Sequence, residues 1–154
     1  MKELVDLLLL KKKTISSMES CTGGGFVNEL TNIEGVSEII KFSAVTYSNE
    51  YKIKMGVSEK VIEKYSVYSI ETANEMSKAI ANFTNSSYGV GITGKLNRVD
   101  KNNPYGNDNI VFISVYDKDN NKYYTKEIEV LKNTRKMNKD IVINEIIELF
   151  KDII

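Results

Sequence analysis

The run from residue 14 to residue 25, Thr-Ile-Ser-Ser-Met-Glu-Ser-Cys-Thr-Gly-Gly-Gly, limits how this chain can fold more than any other part of it. Its first residues favour an extended strand, and its three consecutive glycines permit a tight turn. An amphipathic stretch typical of a helix follows at once. The run therefore predicts a strand–turn–helix unit that places the polar side chains of Ser20, Cys21 and Thr22 at the end of a strand.

The chain contains no histidine, and this limits the chemistry of any site at that strand end. Ser20 and Cys21 resemble nucleophiles, but neither can have the imidazole base that most serine and cysteine hydrolases use. The usual zinc, iron and copper sites lose their main ligand, and the single cysteine excludes an internal disulfide and multi-cysteine metal clusters. We therefore expect no metal site, and an enzyme of this sequence needs a different base.

The composition is ordinary for a soluble globular protein, with 42% hydrophobic and 27% charged residues. A length of 154 residues suits one domain over residues 1–154. Basic and acidic residues balance at 21 each, so no overall charge attracts nucleic acid or a membrane. The short apolar stretch at residues 7–10 precedes its lysines, the reverse of a signal peptide, and we expect a cytoplasmic protein.

Helical and strand patterns alternate along the chain. Helices are predicted at residues 2–11, 24–32, 49–55, 58–65, 70–83 and 134–153, and strands at residues 14–18, 39–47, 88–93, 110–116 and 123–130. The polar turn 117–122 predicts a hairpin, and Ser69 is a plausible helix cap. This order predicts an α/β fold, a three-layer α/β/α sandwich with a mixed sheet.

Two further expectations concern the loop and the last helix. Residues 94–109 contain the only proline together with asparagines and glycines, and they predict a loop. The last helix is amphipathic. Its inward-facing residues are predicted to be Ile141, Ile146, Leu149 and Ile153.

Residues 89–95, Gly-Val-Gly-Ile-Thr-Gly-Lys, satisfy both the dinucleotide pattern G-x-G-x-x-G and the P-loop pattern G-x-x-x-x-G-K. Both motifs need their glycines between a strand and a helix, whereas these lie inside a predicted strand. A P-loop also needs Ser or Thr after the lysine, and position 96 is Leu. A buried strand whose glycines allow close packing is the better interpretation, and a P-loop phosphotransferase is the weaker alternative.

The glycine turn at residues 19–25 has the context that a binding site requires. It follows a strand, and the next helix begins with amide groups that have no partner within the helix. These features favour an anion such as phosphate. The alternative is a turn that only packs, but Ser20, Cys21 and Thr22 are more polar than packing requires.

Tyr47 and Lys52 lie at a predicted bend from strand to helix, where their side chains can converge. Both groups have ordinary pKa values of about 10. Either one becomes a base near neutral pH only when burial or a nearby cation lowers its pKa, and Lys54 is a candidate for that cation. The alternative is an exposed tyrosine and an exposed lysine on a charged helix.

Taken together, Glu-Ser-Cys-Thr-Gly-Gly at residues 19–24 and Tyr-Ser-Asn-Glu-x-Lys at residues 47–52 resemble the CinA C-terminal domain family. Gly91-Ile-Thr-Gly94 matches the next sequence motif of the family along the chain. Asn133-Thr-Arg135 resembles its short motif ending in arginine before the last helix. The chain looks like the stand-alone form of this domain.

The resemblance implies an α/β/α sandwich that hydrolyses the carboxamide of nicotinamide mononucleotide, giving nicotinate mononucleotide and ammonia. It implies Ser20 as the nucleophile and Tyr47 and Lys52 as the assisting pair, with either one as the base. Backbone amides at residues 21–24 would stabilise the oxyanion or bind the 5′-phosphate. The substrate-binding residues that we expect are Glu19, Cys21, Thr22, Gly23, Gly24, Asn49, Thr93, Gly94 and Arg135.

The expected partner is thus a small-molecule mononucleotide, with no cofactor, no nucleic acid and no membrane, and a homo-oligomer is left open. Cys21 is expected to pack rather than to attack, and Arg135 either contacts phosphate or favours the surface of its helix. After Gly94 the chain departs from the family's Ile-Ala-Gly-Pro-Gly-Gly and has Lys95-Leu-Asn-Arg-Val-Asp100. A catalytically inactive nucleotide-binding or interaction module of the same fold is therefore the alternative function.

Overall fold

The computed structural model of the chain describes residues 1–131 and 134–154, so Asn133 of the predicted arginine motif lies outside the described residues. The helices are α1 (Lys2–Leu10), α2 (Gly25–Thr31), α3 (Asn49–Lys54), α4 (Glu59–Tyr65), α5 (Ile70–Thr84) and α6 (Arg135–Lys151). The strands are β1 (Ile15–Glu19), β2 (Ile40–Val45), β3 (Tyr88–Gly94), β4 (Ile110–Asp117) and β5 (Lys122–Glu129).

These strands form one five-stranded mixed sheet in the order β2-β1-β3-β4-β5. β1 pairs in parallel with both β2 and β3, whereas β4 is antiparallel to β3 and β5 is antiparallel to β4. The hairpin predicted around the polar turn is confirmed, because β4 and β5 pair directly across residues 118–121. Only β1 and β3 have every residue buried, which accords with their central places in the sheet.

Helices cover both faces of the sheet and complete the predicted three-layer α/β/α sandwich. α5 packs across β1, β3 and β4 on one face, while α1, α2 and α6 pack together on the other. Hydroxyl side chains at the N-caps start four of the helices. They are Ser48, Ser58, Ser69 and Thr134, each accepting a hydrogen bond from an amide in the first turn of its helix.

The glycines of β3 let α5 approach the sheet closely, as the packing interpretation of residues 89–95 predicts. A Cβ at Gly89 would lie 2.0 Å from the carbonyl oxygen of Ser77, and one at Gly91 would lie 2.3 Å from that of Ala73. No helix follows β3 before β4 begins, so the glycines are not at a helix N-terminus. The P-loop and dinucleotide interpretations of this stretch are therefore wrong.

The inward face of α6 differs from the predicted one. Ile146 is fully buried as expected, but Ile141, Leu149 and Ile153 are only partly buried at the margin of the core. The fully covered apolar positions of this helix are instead Val142, Ile143, Ile146 and Phe150. Its buried face also includes the polar residue Asn138.

The part of the chain after β3 has no helix or strand between Gly94 and Ile110, as predicted for a loop. Within residues 1–131 and 134–154, none of the helices combines the length and the apolar composition needed to cross a membrane.

Replacing Gly91 with alanine is expected to lower the free energy of unfolding by about 3 kcal/mol, because the new Cβ would collide with the backbone of α5. The matched control is Gly25→Ala, whose Cβ would meet the movable end of Ile143 at 3.2 Å and Thr22 Cβ at an ordinary contact distance of 3.8 Å. Urea unfolding of both variants measures the effect. Equal stability of the two variants would contradict the close packing of β3 against α5.

Candidate active site

The carboxyl ends of three parallel strands meet at one edge of the sheet. β1 ends just before Ser20, β2 ends just before Thr46, and β3 ends just before Lys95. The chain leaves β1 through α2 on one face and leaves β2 through α3, α4 and α5 towards the other face. Open α/β sheets bind ligands at such a place, where successive connections go to opposite faces.

Lys52 reaches this edge from α3 and contacts the Ser20 hydroxyl. Its Nζ lies 3.1 Å from Ser20 Oγ and 2.7 Å from the carbonyl oxygen of Thr46. The whole residue is only 1% exposed, which is rare for lysine, and it has no carboxylate partner among the ion pairs of the described residues. The structure thus brings together two of the three predicted catalytic residues.

Burial of this amine changes its acidity. Loss of hydration disfavours the ammonium form and lowers the pKa of Lys52 from 10.5 to about 8, although the neighbouring Asp100 carboxylate acts in the opposite direction. The sequence-based suggestion that Lys54 supplies a nearby cation is wrong, since Lys54 is exposed and pairs with Glu50 at 2.6 Å. Burial therefore makes the free amine of Lys52 accessible near neutral pH.

The carbonyl of Thr46 also orients the amine. A free lysine amine has two N–H groups and one lone pair, and one N–H is held by this carbonyl at 2.7 Å. That contact favours rotamers in which the lone pair of Lys52 faces Ser20 Oγ. The pair can then transfer a proton from hydroxyl to amine.

Cys21 lies beside this pair but is a poor nucleophile. Its side chain belongs to the hydrophobic core, and burial raises the pKa of its thiol to about 12. The thiolate is the reactive form of cysteine, so little of it exists near neutral pH. This placement agrees with a packing role for the side chain.

Tyr47 lines the cavity that opens above this pair, but among the described residues its hydroxyl has no hydrogen bond with Ser20 or Lys52. It is 65% exposed, and its hydroxyl accepts a hydrogen bond from Arg135 at 3.4 Å. The tyrosine and the arginine therefore lie at the rim of the opening through which a ligand would enter the cavity.

A cavity of about 470 Å³ opens directly above Ser20 and Lys52. Seven of the residues expected from the sequence line it, namely Ser20, Cys21, Tyr47, Asn49, Lys52, Gly94 and Arg135. The opposite wall is formed by Val67, Tyr68 and residues 95 and 98–103. We call residues 95–103 the cavity segment.

Hydrogen bonds hold the cavity segment over the site. The hydroxyl of Tyr68 donates a hydrogen bond to Asp100, and Asn103 accepts one from the side chain of Asn49 at 3.2 Å. Burial would raise the pKa of Asp100, but hydrogen bonds from Tyr68 and Asn102 outweigh it and hold the pKa below its usual range. Asp100 is therefore an anion that fixes the segment to the wall.

Glu19 is not on the cavity wall, and its place corrects the expectation of an open anion site at the start of α2. Its fully buried carboxylate accepts hydrogen bonds from the amides of Phe26 at 3.1 Å and Val27 at 3.0 Å, and from the hydroxyl of Thr22 at 2.6 Å. The chain thus supplies its own anion to this helix end. Glu19 positions the turn after Ser20 and leaves those amides unavailable to phosphate.

The other expected binding residues also lie away from the cavity wall. Gly23 and Gly24 adopt left-handed conformations, with φ values of 61° and 90°, and line a separate groove beside α6. The hydroxyl of Thr22 donates its hydrogen bond to the Glu19 carboxylate, and the buried hydroxyl of Thr93 donates to the carbonyl of Val67 at 2.9 Å. These residues shape the strand end without facing the cavity.

Sequence reasoning missed the residues that the cavity segment contributes. They include Lys95, Arg98, Asp100, Lys101 and Asn103, and Tyr68 on the same wall was missed as well. The available signal was the segment's departure from the family pattern, since charged and amide side chains replace glycines and proline in a loop expected to border the ligand. In the described parts of the chain, no group of three or more carboxylate or cysteine side chains is placed to hold a metal ion.

The complete chain, residues 1–154, matches the family model described as the CinA C-terminal domain. The chain belongs to this family. The CinA-like protein of Desulforapulum autotrophicum is 44% identical to it over 93 residues, which is 60% of this chain and 22% of that protein. The CinA-like protein of Endomicrobium trichonymphae is 44% identical over 89 residues, covering 57% of this chain and 21% of that protein.

The alignment with these curated relatives thus spans about a fifth of their length. A solved structure of a competence-damaged protein (CinA) superfamily member from Escherichia coli has the same fold, with a TM-score of 0.87, 20% identity, and coverage of 99% of this chain and 87% of that one. The competence/damage inducible protein CihA of Agrobacterium tumefaciens gives a TM-score of 0.83 at 21% identity, covering 96% and 91%. The CinA fold predicted from the sequence is confirmed.

Replacing Glu19 with glutamine is expected to lower the free energy of unfolding of this CinA domain by about 2 kcal/mol, because an NH₂ group cannot accept from the amides of α2. Glu29→Gln, an exposed carboxylate on α2 itself, is the matched control and should change stability little. Thermal and urea unfolding of both variants provide the measurement. A stable Glu19→Gln variant would show that the carboxylate does not hold the turn.

Proposed function

We propose that this protein is an amidohydrolase that deamidates nicotinamide mononucleotide to nicotinate mononucleotide and ammonia. The contact of 3.1 Å between Lys52 Nζ and Ser20 Oγ, at the floor of a cavity of about 470 Å³, carries the proposal. A buried serine–lysine pair supplies a nucleophile and a base without histidine. The resemblance of residues 19–24 and 47–52 to the family's motifs supports the choice of substrate.

Lys52 is the proposed base, and Tyr47 is proposed to contact the substrate instead. Lys52 touches the nucleophile and has its pKa lowered by burial to about 8. The hydroxyl of Tyr47 is engaged with Arg135 at the cavity mouth. Geometry therefore favours the lysine over the tyrosine for proton transfer.

The reaction is proposed to run through an acyl-enzyme. The free amine of Lys52 takes the Ser20 proton while Oγ attacks the carboxamide carbon, which gives a tetrahedral oxyanion. The Lys52 ammonium then protonates the leaving nitrogen, and ammonia departs. Lys52 next takes a proton from water, which attacks the ester, and the proton returns to Ser20 as the carboxylic acid leaves.

The amide of Cys21 is the proposed donor to the oxyanion. The turn amides of Gly23 and Gly25 donate to the carbonyls of Ser20 at 2.9 Å and Thr22 at 3.1 Å. Among the described residues, the Cys21 amide donates no hydrogen bond to another residue, and it directly follows the nucleophile. This position is the usual one for an oxyanion donor.

The test is ammonia release from nicotinamide mononucleotide between pH 6 and pH 10. The free amine of Lys52 is the competent form, so kcat/KM should rise with pH and level off above about 8. Ser20→Ala and Lys52→Met should each reduce kcat by about 10³-fold or more. Lys54→Met, on the same helix but exposed, should retain the rate.

Cys21→Ala should also keep most of the activity, since its thiol is protonated and packs in the core. Loss of activity in Cys21→Ala with full activity in Ser20→Ala would reverse the assignment of the nucleophile. Absence of ammonia release at every pH from folded protein would reject the proposed reaction.

A non-catalytic nucleotide-binding module is the second candidate, because the cavity segment departs from the family pattern at residues 95–100. Such a module would gain thermal stability from mononucleotides and turn none of them over. Stabilisation without ammonia release is the result that distinguishes it from the amidohydrolase.

A further inference from the structure

Besides Lys52, three cationic side chains line the cavity without a carboxylate partner among the described residues. Arg98 and Lys101 belong to the cavity segment, and Arg135 begins α6 on the facing wall. None of the three takes part in an ion pair within the described residues. Unneutralised cations on the walls of one concave site attract an anion to it.

The remaining charged groups of the cavity form no ion pair with these cations in the described residues, and one carboxylate cannot balance three positive charges. Asp100 is the cavity's carboxylate, and its oxygens accept from Tyr68, the amide of Asn102 and the side chain of Asn103. The charge of Lys95 is also balanced, because its Nζ forms an ion pair with Asp108 at 3.1 Å. Arg98, Lys101 and Arg135 are thus left to face the ligand.

Contacts of Lys95 and Asn97 fix the backbone at the base of the cavity segment, directly before the exposed side chain of Arg98. The Lys95 side chain is buried, contacts the carbonyl of Gly106 at 3.4 Å and lies over the ring of Tyr68. The amide of Asn97 donates to the carbonyl of Asp108 at 2.7 Å. Leu96 and Asn97 both adopt left-handed conformations, with φ values of 53° and 60°, a strained pair that turns the chain back over the site.

The helix end on the opposite side of the strand end already holds an anion of the chain itself. The amides at the start of α2 are occupied by the carboxylate of Glu19, at 3.1 Å for Phe26 and 3.0 Å for Val27. A phosphate at that helix end would meet an existing negative charge. The cationic wall is the better place for the anionic end of a nucleotide.

We infer that Arg98 of the cavity segment, together with Arg135 across the cavity, binds the phosphate group of the substrate and selects phosphorylated nucleotides over nucleosides. A guanidinium group binds phosphate through two parallel hydrogen bonds, so an arginine on the cavity wall offers both the charge and the donor geometry that phosphate requires. The inference rests on the proposed function for the identity of the nucleotide. It makes the cavity segment responsible for the preference for nucleotides over nucleosides.

The test compares nicotinamide mononucleotide with nicotinamide riboside, which lacks the phosphate, as substrates of the intact protein and of Arg98→Gln. The variant should raise KM for the mononucleotide by about tenfold or more and leave kcat/KM for the riboside unchanged. Lys60→Gln removes one positive charge from an exposed site on α4 and should alter neither substrate. An equal loss for both substrates, or no loss for the mononucleotide, overturns the inference.

Binding of the products separates this inference from the proposed reaction. Calorimetric titration with nicotinate mononucleotide and nicotinate riboside requires no turnover. Tighter binding of the mononucleotide that Arg98→Gln weakens by about tenfold supports phosphate recognition even in a protein that releases no ammonia. Ammonia release with unchanged binding in Arg98→Gln rejects the inference alone, and failure of the intact protein to bind the mononucleotide also rejects it.

Discussion

The burial of the Lys52 amine against the Ser20 hydroxyl is the interaction on which the site depends. In water this amine would be protonated and could not accept a proton from serine. Removal from water lowers its pKa to about 8 and supplies a base in a chain without histidine. The same burial weakens the fold at neutral pH, and stability should rise as the pH increases from about 8 towards the ordinary value of 10.5, because the unfolded chain binds more protons there.

The sheet and its turns bring that pair together. β1 directs Glu19 towards α2 and the next residue, Ser20, towards the cavity, because successive side chains point to opposite faces. Glu19 fixes the turn from the layer of α2, while α3, capped by Ser48, brings Lys52 to the same edge. One carboxylate therefore stabilises the turn that presents the nucleophile, although it never faces the ligand.

Much of this arrangement could be predicted, because it depends on local patterns. The period of the apolar residues and the polar turns indicated the helices, strands and hairpin, and the motifs that contain Ser20 and Lys52 lie at strand ends that a parallel sheet brings together. The function of Glu19 could not be predicted, since a buried carboxylate that caps a helix and a ligand-binding carboxylate have the same sequence context. The position of the cavity segment could not be predicted either, because it depends on long-range contacts such as Tyr68 with Asp100 and Asn49 with Asn103.

The central claim, that burial lowers the pKa of Lys52 to about 8 and so makes its free amine available as the base for Ser20, can be measured directly. Proteins with ¹³C at the lysine ε-carbon can be titrated by NMR, with Lys52→Met identifying the resonance. We expect Lys52 to titrate near pH 8, well below exposed lysines such as Lys54, and Ser20→Ala to leave that titration depressed because burial causes it. A Lys52 resonance that titrates near 10.5 in the folded protein would contradict the claim.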